Sequence, residues 1–169
     1  MQSIGRGTAI QAASFAVSLA AASPVFAACP IELATYADTR GVAELEFTPG
    51  MGGATVSNSF RLLLDNNVVH DGIVQWLDHE PRPWGMLMYK CPDGDVTGAD
   101  LAKCTLWEGV IYTANEAGDI GLLPEPGKAA PQKLLLPALG PSLRASAAYG
   151  AAGFSNTPWD VFALKGCQE

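Results

Sequence analysis

The chain has 169 residues, with 10 Lys and Arg against 17 Asp and Glu, and a formal net charge of −7. Its basic residues are scattered and never form a run, which excludes a nucleic-acid or anionic-membrane surface built from clustered positive charge. After residue 27 no stretch approaches the ~20 consecutive apolar residues that a membrane helix requires, so no transmembrane span is expected.

Residues 1–27 read as a secretory signal peptide. Arg6 is the only charge before Glu32, and residues 8–22 are uncharged and mostly small or apolar. Pro24 then breaks any helix, and Val25-Phe26-Ala27 supplies the cleavage pattern. Residues 28–169 are accordingly expected to form a single disulfide-stabilised, β-rich domain in the periplasm or outside the cell. One alternative concerns Cys29. Phe26-Ala27-Ala28-Cys29 resembles a lipoprotein processing site, with Phe26 where Leu is usual. Acylation of Cys29 would leave three of the four cysteines, an odd number in an oxidising compartment. The even count favours pairing. The expected bridges are Cys91–Cys104, across the mouth of one loop, and Cys29–Cys167, joining chain ends that lie close together in most domains. The chain has no C-x-x-C spacing, and a thiolate zinc site is not expected.

Residues 31–38 read as a first strand. In residues 42–48, Ala43, Leu45 and Phe47 alternate with Glu44 and Glu46, the period-2 pattern of a half-buried strand. Residues 49–53 read as a glycine-rich turn, because no Gly-Lys-Ser/Thr follows to make a phosphate cradle. Phe60, Leu62 and Leu64 alternate with Arg61 and Asp65. Asn66-Asn67 then makes a tight hairpin, since Asn tolerates the left-handed conformation. Gly72 is expected to break the return strand. Residues 78–83 are read as a loop, because two prolines disfavour a central strand.

The stretch 84–117 is the organising feature: apolar strand, Cys91, acidic loop, Cys104, apolar strand. Gly109 is expected to mark a bulge in the second strand. Residues 120–123 make a short strand, Pro141 to Tyr149 one short helix starting near Pro141 or, as the alternative, an irregular strand, and residues 159–167 the last strand. Many short strands separated by turn signals predict a mainly β (β-rich α+β) fold, a small antiparallel barrel or sandwich with one short C-terminal helix.

Three groups of residues bear on chemistry. Asp93, Asp95, Thr97 and Asp100 resemble the opening of a calcium loop, in which oxygens recur at alternate positions. Cys104 stands where such a loop ends on a bidentate Glu, and turn-forming Asp and Gly explain the same residues. Calcium is thus the one cofactor the sequence suggests, and no other is expected. His70-Asp71 and Asp78-His79-Glu80 hold the only two histidines and offer a metal-dependent hydrolase. The histidines lie nine positions apart, so they converge only if the intervening strand bends. Glu108 is a lone carboxylate in a strand, and no G-x-S-x-G motif is present. Trp84 and Trp159 each follow a proline at a strand start, where aromatic side chains can line a binding mouth. The reading with most support is a non-enzymatic module that binds an envelope ligand or protein. The hydrolase and a calcium-stabilised domain are its alternatives.

Overall fold

The computed structural model describes residues 28–53, 56–77, 80–94, 97–150 and 153–168. Residues 1–27, and with them the signal-peptide reading, lie outside the described residues, as do His79 and Asp95. Among the described residues, ten strands and two short α-helices form in chain order. They are β1 (Ala34–Asp38), β2 (Glu44–Gly53), β3 (Val56–Leu63), β4 (Val69–Leu77), β5 (Glu80–Met88), α1 (Gly98–Cys104), β6 (Thr105–Val110), β7 (Tyr112–Ala114), β8 (Ile120–Leu122), β9 (Lys133–Leu135), α2 (Leu139–Ala145) and β10 (Val161–Cys167). All strand pairs are antiparallel, in the order β6-β5-β4-β3-β2-β1-β10-β9-β7-β8.

One residue curls this sheet into a nearly closed barrel. β6 ends the sheet on one side and β7 lies near its other side, yet only Ile111 separates them in the chain. The Ile111 N–H donates to the Pro83 carbonyl at 3.1 Å, and its carbonyl accepts from Leu123 N at 3.2 Å. A single bent strand thus belongs to both margins, which leaves fewer open edges for unwanted pairing.

Alternation along the strands fills the interior. Tyr36, Leu45, Phe47, Phe60, Leu62, Val74, Leu87, Trp107, Ile111, Leu134 and Phe162 are all buried in one cluster. Each such burial is worth about 1.5–3 kcal/mol. Phe47 packs tilted against Phe60 at 5.9 Å between ring centroids, and edge-on to Tyr36 at 6.0 Å. The Tyr36 hydroxyl donates to the Pro131 carbonyl at 3.0 Å. Burial pushes this phenol well above its usual titration range.

Both cysteine pairings are as the sequence indicates. Cys29 bridges Cys167 with Cα atoms 5.6 Å apart, and Cys91 bridges Cys104 at 5.1 Å. The Cys29 sulfur is therefore committed to a bridge rather than to a lipid. The first bridge reinforces β1 against β10, where Ala34 already faces Cys167.

Several local expectations are corrected. The loop between Cys91 and Cys104 contains a helix, α1, so the described residues hold two α-helices rather than one. Thr97 caps that helix: its hydroxyl oxygen accepts from Asp100 N at 3.3 Å. Gly72 does not break β4, because a glycine is needed opposite Phe60. The two residues are direct cross-strand partners, and a Cβ at residue 72 would overlap the ring. Pro81 and Pro83 lie within β5. A register shift between Trp76 and Leu77 and the acceptor role of the Pro83 carbonyl accommodate residues that lack an N–H. Residues 50–53 continue β2, with a register shift in place of a plain turn. No bulge falls at Gly109, which pairs with Gly85 while the shift comes between Leu87 and Met88. Asn66 and Asn67 do take left-handed φ values of 57° and 58°.

The antiparallel order gives the barrel two unlike ends. One carries short connections, including 115–119 between β7 and β8. The other carries the β1–β2 turn at 39–43, the β3–β4 turn at 64–68, the cystine-closed loop before β6, and the long connection 136–160 with α2.

Candidate functional site: the loop-rich end of the barrel

Trp159 stands out at the loop-rich end. It is 61% exposed, the position of a residue type that ordinarily hides most of its surface. Its backbone is nonetheless fixed. Asp38, at the end of β1, is only 3% exposed. One carboxylate oxygen of Asp38 accepts from Trp159 N at 3.0 Å. The other accepts from Arg40 N at 3.0 Å and from Val42 N at 3.4 Å. One buried carboxylate therefore ties the β1–β2 turn to the segment leading into β10.

α2 packs onto this segment. Gly140 lies so close to the Pro158 carbonyl that any Cβ there would overlap it. Arg144 Nη2 donates to the Thr157 hydroxyl at 3.2 Å, and its guanidinium lies 5.8 Å from the centre of the Tyr149 ring. Between these elements runs an open cleft of about 500 Å³, lined by Arg40, Pro141, Arg144, Pro158, Trp159 and Val161 among others. That volume falls within the ~300–1,000 Å³ of small-ligand sites. Asp160, also on the cleft, has Oδ2 engaged by Ala138 N at 2.8 Å.

His70 lies at the same end, facing inward from β4. It is buried edge-on between Tyr89, at 5.4 Å, and Phe154, at 5.8 Å. Its Nε2 is buried and has no hydrogen-bond partner. Phe154 is held over it by Asp65, which accepts from Ser155 N at 3.1 Å, from the Ser155 hydroxyl at 2.7 Å and from Asn156 Nδ2 at 2.8 Å. These bonds, the Ser155 hydroxyl foremost, hold the Asp65 carboxyl below its ordinary value.

Burial lowers the His70 pKa from 6.5, against a smaller opposing effect of the Asp71 charge. The unfolded chain therefore takes up this proton at higher pH than the folded one does. The fold is at full stability with respect to this group above about pH 6.5 and loses stability as the pH falls below it. Urea midpoints are expected to drop between pH 7.5 and 5, with a shallower drop in His70→Gln. Identical slopes in the two proteins would refute the assignment.

The structure separates residues that the sequence had suggested might act together. Trp84 is half-buried near the start of β5, at the end of the barrel opposite Trp159, so the two cannot line one mouth. Asp71 is exposed beside His70, and Glu80 begins β5. Of the calcium-like residues, Thr97 and Asp100 are engaged at the start of α1. The Thr97 hydroxyl donates to Asp100 Oδ2 at 2.7 Å, Lys103 pairs with Asp100 Oδ1 at 3.2 Å, and Asp93 is exposed. Glu108 is exposed on β6. Among the described residues no three His, Cys, Asp or Glu side chains converge as metal ligands.

Arg40 and Arg144 carried no signal in the sequence, because a turn and a helix far apart in the chain contribute them singly. Asp38 looked like an ordinary strand end. Compared with family models, curated proteins and solved structures, the chain shows no significant match.

Proposed function

We propose that this protein is an exported, disulfide-stapled binding module without catalytic activity, and that it engages its ligand at the loop-rich end of the barrel. The observation that carries this reading is Trp159, 61% exposed on a backbone locked by a buried Asp38 and facing a cleft. Holding a large aromatic surface in water has no benefit for the fold alone. Trp and Arg on a preorganised frame are the residue types that dominate binding energy where a partner covers them.

Two further features agree. The pairs Cys29–Cys167 and Cys91–Cys104 suit an oxidising compartment. The only described imidazole is walled in by Tyr89 and Phe154 with its Nε2 buried, an arrangement that favours packing over proton transfer to a substrate.

Recovery of ligands from envelope extract, followed by titration of the purified ligand, tests the proposal. Trp159→Ala is expected to weaken that binding by about thirtyfold, the cost of losing an interface anchor, without moving the melting temperature. Unchanged affinity in Trp159→Ala would place the binding face elsewhere. Turnover of a hydrolase substrate that vanishes in His70→Gln would replace the proposal with an enzymatic one.

A further inference from the structure

We infer that the occupant of the Trp159 cleft is an acidic stretch of a partner polypeptide, an apolar side chain resting on Trp159 with carboxylates on either side at Arg40 and Arg144. This deepens the binding reading above and rests on it.

Charge supplies the first argument. The chain as a whole is strongly acidic, with 17 acids against 10 bases. Yet the cleft carries two exposed arginines against the single carboxylate of Asp160, and neither arginine joins an ion pair among the described residues. By contrast, on the barrel wall, Arg61 pairs with Glu46 on the neighbouring strand and Lys165 reaches over β1 to Glu44. Arg144 is positioned besides, by its bond to Thr157 and its place over Tyr149. A planar guanidinium held in this way presents two parallel donors to a carboxylate. Two such groups at one apolar floor complement an anionic partner and repel a cationic one.

The second argument concerns the floor. Pro141, Pro158, Val161 and the Trp159 indole are apolar surfaces. Between the two guanidiniums, the Thr157 hydroxyl is engaged by Arg144 and Asp160 Oδ2 by Ala138 N. A sugar acid would bring several hydroxyls that need partners, and burying them unmatched costs about 1–3 kcal/mol each. An apolar side chain makes no such demand on the indole, and the backbone that carries it stays hydrated at the mouth of the open cleft. The cleft is therefore built for a polypeptide rather than a glycan.

The test uses the bridged protein spanning residues 28–169. A displayed library of random 12-residue peptides is selected on it, with counter-selection on Trp159→Ala. Synthetic copies of the enriched peptides are then titrated. The expected winners carry Asp or Glu on both sides of an apolar residue. They lose about tenfold in affinity on Arg40→Gln and again on Arg144→Gln, and they weaken as salt screens the contact. Circular dichroism melting of each variant separates lost binding from lost folding. Trp159-dependent winners without acidic enrichment, or ones indifferent to both Arg variants, overturn the acidic-peptide assignment and leave the binding face standing. Polygalacturonate binding the cleft more tightly than any selected peptide overturns the choice of polypeptide. The absence of any Trp159-dependent peptide overturns this inference. If a ligand recovered from envelope extract also proves indifferent to Trp159→Ala, the binding reading falls with it.

Discussion

Replacing Cys29 and Cys167 with Ser lowers the unfolding free energy by about 5 kcal/mol, against about 3 kcal/mol for the Cys91–Cys104 pair, if each bridge acts by restricting the unfolded chain. The asymmetry follows from sequence separations of 138 and 13 residues. Domains of this size are stable by about 5–15 kcal/mol in total, so the longer bridge is a large fraction of what holds the barrel folded. The bridge also sits where β1 pairs with β10 in the middle of the sheet, with Ala34 opposite Cys167. Denaturant unfolding of the two double-Ser variants measures both quantities. Equal losses, or a larger loss from opening the short loop, would show that strain or residual structure outweighs loop entropy. The practical expectation is that mild reductant unfolds the protein at temperatures at which the bridged form persists.

Gly72→Ala is expected to cost about 1–3 kcal/mol, a large penalty for one methyl group. Gly72 faces the interior directly across from Phe60, and a Cβ would enter the space the ring occupies. Phe60 cannot swing away freely, because it packs on Phe47 at 5.9 Å within the buried cluster. The cause is testable by a double-mutant cycle. Phe60→Leu removes the ring at a cost of its own, but Gly72→Ala placed on that background should then be nearly free. A coupling of about 1 kcal/mol or more in that direction is expected for residues in contact. Strictly additive losses would mean that Gly72 is needed for its backbone alone.

These two cases also show what the sequence could reveal. The cysteine pairing was legible because four cysteines allow few solutions and the two ends of a domain lie close. β2 was legible because Ala43, Leu45 and Phe47 alternate with glutamates, and the Asn66-Asn67 turn because few other residues adopt positive φ cheaply. Gly72, Pro81 and Pro83 misled, since each was judged by its local preference. In the fold two of them are decided by a neighbour across the sheet: Phe60 for Gly72, the Ile111 N–H for Pro83. α1 was hidden in a loop rich in turn formers, its first turn capped by Thr97, one of the residues that resembled a calcium loop. Of the cleft, only Trp159 was visible beforehand, by its place after Pro158. Arg40 and Arg144 reach it through the pairing of β1 with β10 and the docking of α2, neither of which a linear pattern encodes.

The Cys29–Cys167 bond turns residues 29–167 into a covalent ring. In a ring the position of the opening is a free choice, so a peptide linker in place of that bond permits new termini elsewhere. The exposed turn 115–119 is the natural point, at the pole of the barrel away from Trp159. A circular permutant opened there keeps every strand pairing, leaves the cleft unobstructed, and gives a tethering handle pointing away from whatever docks.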